Sequence, residues 1–448
     1  MWKRVVPVVV LLAFFAAPAA AQSGSGKLAT LIFRVFGPDG LFVDSEALLP
    51  SGETHSSHFN SAFQSEFTKI NLALPTQLLT VPLPSPASGA TYITDPITGI
   101  PRRSTQSWGP ILSDRAETIG KGRSVFGFAY QHFAFSTIDG LDLDAIPAVF
   151  THDNAAPGGL ADLVTTVNAI SASTDRFTTF FTYGLHNRVD VSVAVPIVST
   201  RMTVTSLATV QRIGTAGNPA VHFFRDAAGG LGDTRRFSAE GSATGIGDIV
   251  LRAKGQFAEL GCAEEATVGE SDVGCTHLAA GANFRVPTGD EMELLGVGGA
   301  GFAPFVVASL NLGKVTPHVN FAYELNGDSV LAGNPATGES GSLPDQFVYT
   351  VGFDVGLTEG FTVAFDLLGR TVFDAPRLGT GTFLALDGAS TFADIQFRED
   401  DVNIADASIG VKLSTVPDLL VDFNLLFKLN DGGIRATVSP LLGVEYSF

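Results

Sequence analysis

The chain has 448 residues, with 27 Lys and Arg against 45 Asp and Glu, and this net charge of −18 argues against nucleic acid as a partner. Only 16% of the chain is charged while 45% is hydrophobic, against about 25% charged in a typical soluble domain. The longest uninterrupted apolar run is a short one at the N-terminus, so a bundle of membrane helices is excluded. Forty-nine Gly, 35 Phe and abundant Val and Thr suit turns and pleated surfaces, and predict an all-β chain.

Residues 1–21 carry a basic head, Lys3-Arg4, an apolar body from Val5 to Ala17 and a small-residue end, Ala19-Ala20-Ala21. This is the pattern of a signal peptide cleaved after Ala21, which sends the protein out of the cytoplasm. Residues 22–122 form a second region without consistent alternation. Within it, Phe59, Phe63, Phe67 and Ile70 have helical spacing, and an amphipathic helix is expected over 58–79, ended or kinked by Pro75. Pro82, Pro84 and Pro86 predict an extended linker, and Tyr92–Ile100 reads as a hairpin around Asp95-Pro96-x-x-Gly99.

From residue 123 to 448 the chain repeats runs of strict alternation separated by turns. In 419–430 Leu419, Val421, Phe423, Leu425, Phe427 and Leu429 share one face, and Asp422, Asn424, Lys428 and Asn430 the other. Strands are expected near 123–135, 162–184, 188–206, 243–258, 276–288, 302–312, 315–327, 346–357, 361–374, 403–415, 419–430 and 434–448. Twelve is an even number. Short connections at 186–187, 313–314, 358–360 and 416–418 alternate with long ones at 137–161, 207–242, 289–301, 328–345 and 375–402, as short periplasmic turns alternate with longer external loops. Two connections depart from the rule: 259–275, on the expected periplasmic side, is long, and 431–433, on the expected outer side, is short. The prediction is an all-β, transmembrane, antiparallel up-and-down β-barrel of about twelve strands, with 22–122 plugging its lumen; the alternative is that 22–122 is a disordered tail in the periplasm, against which its Phe and Leu content weighs. If the 92–100 hairpin joins the wall, the count becomes fourteen.

Between strands, Cys262 and Cys275 enclose a polar loop with no neighbouring His, and in an oxidising compartment they are expected to pair as a disulfide. Charges on the polar faces should point into the lumen: Arg188, Asp190, Asp248, Arg252, Lys254, Arg285, Glu324, Asp366, Arg370, Asp406, Lys412, Asp422, Lys428, Arg435 and Glu445. Both signs are mixed, which fits a network of ion pairs stiffening the wall as well as a lined path. Prolines interrupt several strands, and Pro196 and Pro440 are singled out as possible kinks.

The chain ends Leu442-Gly443-Val444-Glu445-Tyr446-Ser447-Phe448. Gly443, Tyr446 and Phe448 resemble the terminal signal of bacterial outer-membrane barrels, which implies handling by the barrel-assembly machinery. Val125–Gln131, Phe181–Leu185, Val189–Val198, Gly245–Lys254 and Arg285–Asp290 resemble the family named for the meta-pathway of phenol degradation. That family is grouped with outer-membrane barrels and is similar in outline to the FadL-type channels for long-chain fatty acids and aromatic hydrocarbons. The resemblance covers about residues 120–448 and carries over no functional residue set position by position. It implies that 22–122 is a counterpart of the FadL-type hatch and that Pro196 or Pro440 could mark a lateral opening.

No enzyme constellation emerges. Eight His are scattered without metal-ligand spacing, so neither a metal nor a cofactor is expected. Gly296–Gly301 formally fits G-x-G-x-x-G but lacks the strand and helix of a dinucleotide site, and reads as a loop entering the next strand. The hypothesis is a monomeric channel in the bacterial outer membrane, surrounded by its lipid, through which small hydrophobic molecules pass passively; Phe150, Phe223, Phe224, Phe383 and Phe392 would collect them outside. The alternative is a structural or surface-interaction barrel with a closed lumen.

Overall fold

The computed structural model describes residues 27–37, 40–46, 91–94, 101–103, 105–151, 162–215, 218–225, 228–262, 273–416 and 418–448. The expected signal peptide, the 58–79 helix, the proline linker and the tip of the 92–100 hairpin lie outside them.

The wall is a closed antiparallel barrel of twelve strands. In chain order they are β1 (Ser124–Ile138), β2 (Leu163–His186), β3 (Val189–Gln211), β4 (Thr234–Ile246 and Ile249–Leu260), β5 (Thr276–Val286), β6 (Gly301–Leu310), β7 (Val315–Asn326), β8 (Gln346–Thr358), β9 (Phe361–Leu384), β10 (Thr391–Val416), β11 (Leu419–Lys428) and β12 (Ile434–Ala436 and Val438–Ser447). Each pairs with its neighbour, and β12 closes on β1 in register Leu441↔Gln131 to Ser447↔Val125. Tyr92–Thr94 and Pro101–Arg103 pair only with each other, which fixes the wall at twelve strands.

Alternation produces an inside-out molecule. On β11 and β12, Phe423 and Leu442 are 41% and 52% exposed, whereas Asp422, Asn424 and Glu445 are 5%, 1% and 4% exposed. A water-soluble sandwich would show the reverse, so the apolar outer band belongs against lipid. Tyr183, Tyr446 and Phe448 stand outward near the end with the short turns, as aromatic residues do at a membrane interface. Gly443 faces inward opposite Asp422, whose carboxylate occupies the space a Cβ would need, so a larger residue there would have to displace that side chain.

A tilted strand crosses a membrane in about 9–11 residues. β5, β6 and β7 are near that length with 11, 10 and 12 residues, but β2, β3, β9 and β10 run to 24, 23, 24 and 26. Much of the expected loop at 375–402 is therefore strand, a hairpin turned at 385–390, and the expected loop at 207–242 gives its last nine residues to β4. These extensions rise beyond the band on one side and enclose the largest apolar core, in which Leu28, Ile32, Leu41, Phe150, Val204 and Ile395 are buried. Residues 27–37 and 40–46 thus pack at the end opposite the short turns, where Lys27 bonds Asp290 at 3.0 Å and Asp44 bridges Phe223.

At the same end, Asp162 accepts the backbone N–H groups of Ile213, Gly214 and Thr215 at 2.8–3.0 Å and lies 2.9 Å from His222 Nδ1. Burial alone would raise this carboxyl, but donors from His222 and Thr215 outweigh it and hold it at about 2, below the ordinary 3.8. A depressed carboxyl stabilises above its unfolded value and loses that contribution as pH falls through the folded one. Lowering pH from 4 to 2 should therefore loosen the 212–225 segment by about 2 kcal/mol. Hydrogen exchange, corrected for the intrinsic rate, should register the loosening in intact protein; Asp162→Asn should exchange quickly already at pH 6. An unchanged profile in that variant would remove the assignment.

Candidate functional site: the lumen and its wall break

Residues 105–122 run inside the barrel at the end with the short turns and are tied to side chains that alternation turns inward. Arg115, fully buried, reaches Asp354 of β8 at 2.6 Å, and Ser107 bonds the same carboxylate. His318 of β7 lies 3.6 Å from Asp354 and 2.7 Å from Asp366 of β9. Lys254 of β4 donates to the carbonyls of Arg115 and Glu117 at 2.9 and 2.7 Å, and Lys412 of β10 to that of Trp108 at 3.3 Å. Asp190 of β3 accepts the N–H of Ile119, Ser309 of β6 donates to Glu117, and Arg252 of β4 pairs with Asp114 at 2.6 Å. An unpaired ion in such surroundings would cost several kcal/mol, and these contacts offset that cost.

A second level of charge lies nearer the outside. Arg285 of β5 pairs with Glu324 of β7, to which Gln346 also donates; Gln346 in turn accepts from Arg370 of β9 at 2.8 Å. Arg435 of β12 pairs with Asp406 of β10, and Arg176 of β2 donates to Gln131 of β1 at 2.6 and 3.1 Å. Asp422 and Glu445 are buried on the inward faces of β11 and β12. Lys428 sits at the outer end, 2.8 Å from Asp431. Arg188 departs from the expected lumen set: it stands in the short turn between β2 and β3, half exposed, and bonds Glu259 at the rim of that end at 3.1 Å.

Between the two levels is a cavity of about 330 Å³. Ala194, Val198, Val250, Phe305 and Ile404 line it together with Arg176, Arg252 and Arg370. The guanidinium of Arg252 lies over the Phe305 ring, 4.3 Å from its centre.

The cavity meets the wall at an irregularity. Pro196 and Asp248 line it where β4 is interrupted at Gly247-Asp248. Below the interruption β4 pairs with both β3 and β5. Above it, Thr234–Ile246 pairs with β3 alone among the described residues, because β5 ends at Val286 opposite Ile249. The connection 289–300 folds over the gap. Asp248 accepts the N–H groups of Gly289 and Val297 at 3.0 and 2.9 Å, and Leu295 covers Gly245 with its side chain and Gly247 with its carbonyl; a Cβ would press on the Leu295 side chain at Gly245 and on Val198 at Gly247. Pro440 marks a second interruption: β12 pairs with β1 through Leu441 and resumes only at Ala436.

Other sequence candidates separate. Cys262 and Cys275 are joined, with Cα atoms 4.4 Å apart, and close the loop between β4 and β5. Phe150, Phe223 and Phe224 are at most 2% exposed, held in the outer core by ring contacts that include Phe36 on Phe150, and are not available to collect ligands. His132 faces outward beside Asp175 at 2.8 Å, while His277 and His318 are buried on inward faces. Among the described residues, no group of three or more His, Cys, Asp and Glu is arranged to hold a metal ion. Alternation did not reveal Asp114, Arg115 and Glu117, because 105–122 has no period to read. Their clustered charge in an otherwise apolar, Ser-rich stretch was the available signal.

No family model and no curated protein matches the sequence. Among solved structures, the chain is similar to an outer-membrane channel from Pseudomonas putida F1 at 12% identity, over 75% of this chain and 99% of that chain, with a TM-score of 0.44. It is also similar to a FadL homologue of Pseudomonas aeruginosa at 10% identity over 81% and 96% of the two chains, with a TM-score of 0.30. A third is the toluene transporter TbuX of Ralstonia pickettii, at 11% identity over 73% and 90%, with a TM-score of 0.25.

Proposed function

We propose that the protein is a passive, monomeric channel of the bacterial outer membrane for small hydrophobic molecules, aromatic or fatty-acid-like, and no enzyme. The cavity beside the interrupted β4 carries this reading. It has an apolar side formed by Ala194, Val198, Val250, Phe305 and Ile404 among charged neighbours, residues 105–122 beneath it and a wall gap at its side. In this reading 105–122 is the axial plug, and ligands leave sideways into lipid where Leu295 withdraws from Gly245 and Gly247. An apolar molecule gains by entering the hydrocarbon directly and avoids crossing an aqueous periplasmic exit. The twelve-strand barrel with an occupied lumen is narrower than the 16–18-stranded porins, which disfavours a wide diffusion pore. Gly443, Tyr446 and Phe448 on β12 serve recognition by the assembly machinery.

Entry of toluene into vesicles with a lipopolysaccharide outer leaflet tests the channel. Protein-containing vesicles should fill faster than empty ones, and a cysteine pair fixing residue 295 to residue 245 should abolish the gain until it is reduced. If the protein never speeds entry, the closed-lumen structural reading replaces this one.

A further inference from the structure

The charges around the cavity balance: four guanidiniums and four carboxylates line it. Arg252 pairs with Asp114 and Arg285 with Glu324, Asp248 holds the N–H groups of Gly289 and Val297, and Glu324 and Asp406 act on Arg370. An ion entering this space would shed its water and meet groups already engaged. Asn283 of β5 is different. It is neutral, it lines the cavity, and its buried amide oxygen has no hydrogen-bond donor among the described residues. Its cross-strand neighbours are Arg252 on β4 and Ala303 on β6, and Val250 and Phe305 lie two residues along the inward faces of those strands. Gly281 leaves the room that the Phe305 ring fills, since a Cβ there would collide with it. We propose that this cavity binds a small neutral aromatic alcohol, its hydroxyl on the Asn283 amide and its ring against Ala194, Val250, Ala303 and Phe305.

This assignment rests on the channel reading and narrows its substrate class. An amide offers both an acceptor and donors, and a hydroxyl answers either with one group. Toluene would fill the same apolar surface and leave the amide without a partner, which is how a site built for a hydroxyl rejects the analogue that lacks one. Benzoate would bring a charge among groups whose charges are already balanced. The size is selective as well. At about 330 Å³ the cavity is near the lower end of the roughly 300–1,000 Å³ of small-molecule sites, suited to one ring and unsuited to a long alkyl chain.

Isothermal titration of the intact mature protein in detergent at pH 8, with benzyl alcohol, toluene and benzoate each referenced to protein-free micelles, tests the site. Apolar transfer alone ranks toluene first. A hydroxyl partnered by Asn283 should instead place benzyl alcohol about tenfold ahead of both toluene and benzoate. Asn283→Leu, close in size and without polar side-chain atoms, should weaken benzyl alcohol about tenfold and bind toluene at least as tightly as the unaltered protein does, so that the order of the two reverses. Unheated gel migration reports whether the variant retains the barrel; if it does not, the ranking in the unaltered protein decides alone. Benzyl alcohol bound no tighter than toluene, or undiminished in a folded Asn283→Leu protein, overturns the assignment even where toluene still enters vesicles. Tight benzyl alcohol binding to a protein that admits no toluene would leave the site standing and overturn the channel.

Discussion

A protein lacking residues 22–122 is expected to admit sucrose into liposomes from which the intact chain excludes it, at a rate on the order of tenfold higher or more, because a vacated twelve-strand bore is wide enough for water. The wall should survive the deletion. Its first strand begins at Ser124, whose N–H donates to the Phe448 carbonyl at 2.8 Å, and its paired rungs are kept, although the deletion removes the bond from the Gly122 N–H to the Gly184 carbonyl at 2.8 Å. The lumen changes character instead. Lys254 and Lys412 lose the carbonyls of Arg115, Glu117 and Trp108, and Asp354 loses Arg115; each ion left behind favours water over an apolar filling. Sucrose uptake measured beside toluene uptake separates the two paths: the lateral route for toluene should persist when the axial one opens. Equal exclusion of sucrose by both proteins would mean that wall side chains alone close the bore, and the plug assignment would be lost.

How far the sequence could be read depends on which solvent each segment meets. Where the wall crosses lipid, the outward face must be apolar and the inward face polar, and β7, β8, β11 and β12 were legible from that alternation alone. Beyond the band water lies outside, and the pattern inverts: Ile170, Val204 and Ile395 point into an apolar core while outward positions such as Arg201, Thr203, Thr205 and Thr209 turn polar, Val167 and Leu207 being exceptions. Such stretches then read as loops, which is why the expected β3, β4, β9 and β10 fall short of the observed strands, whereas β2 matches its expected bounds to within two residues. On β9 a register shift between Val372 and Ala375, with Asp374 at φ 47°, also breaks the parity just where the inversion begins. Inward charges were legible as a face but not as pairs. Arg285 with Glu324 and Asp406 with Arg435 join strands two apart around the wall, and register between non-neighbouring strands leaves no mark in either segment. Asp248 is an inward charge of a different kind, since it holds the N–H groups of a folded loop beside the wall break.

Arg115→Ala should release much of what the deletion releases without shortening the chain. The guanidinium bonds Asp354 and Thr105 at 2.6 Å each, and Ser107 as well, in a place where both ions are wholly buried. Removing one partner of such a pair costs about 3–5 kcal/mol, chiefly because the other charge is left in a medium that solvates it poorly. Asp354 would keep His318 at 3.6 Å, but His318 is shared with Asp366. If the loss falls on the docked segment, its undocked population rises by about two to three powers of ten, since each 1.4 kcal/mol is a factor of ten. Sucrose entry should then climb from the level of the intact protein toward that of the deletion, and protease should cut within 105–122. The charge argument makes a further demand on the double variant. Arg115→Met with Asp354→Leu removes both ions and leaves no uncompensated charge, so it should exclude sucrose better than Arg115→Ala does. If the double variant leaks as much as the single one, the segment is held by the contacts of Lys254, Lys412 and Trp108 and by the shape of Arg115, and the buried pair has no special part in keeping the axial path shut.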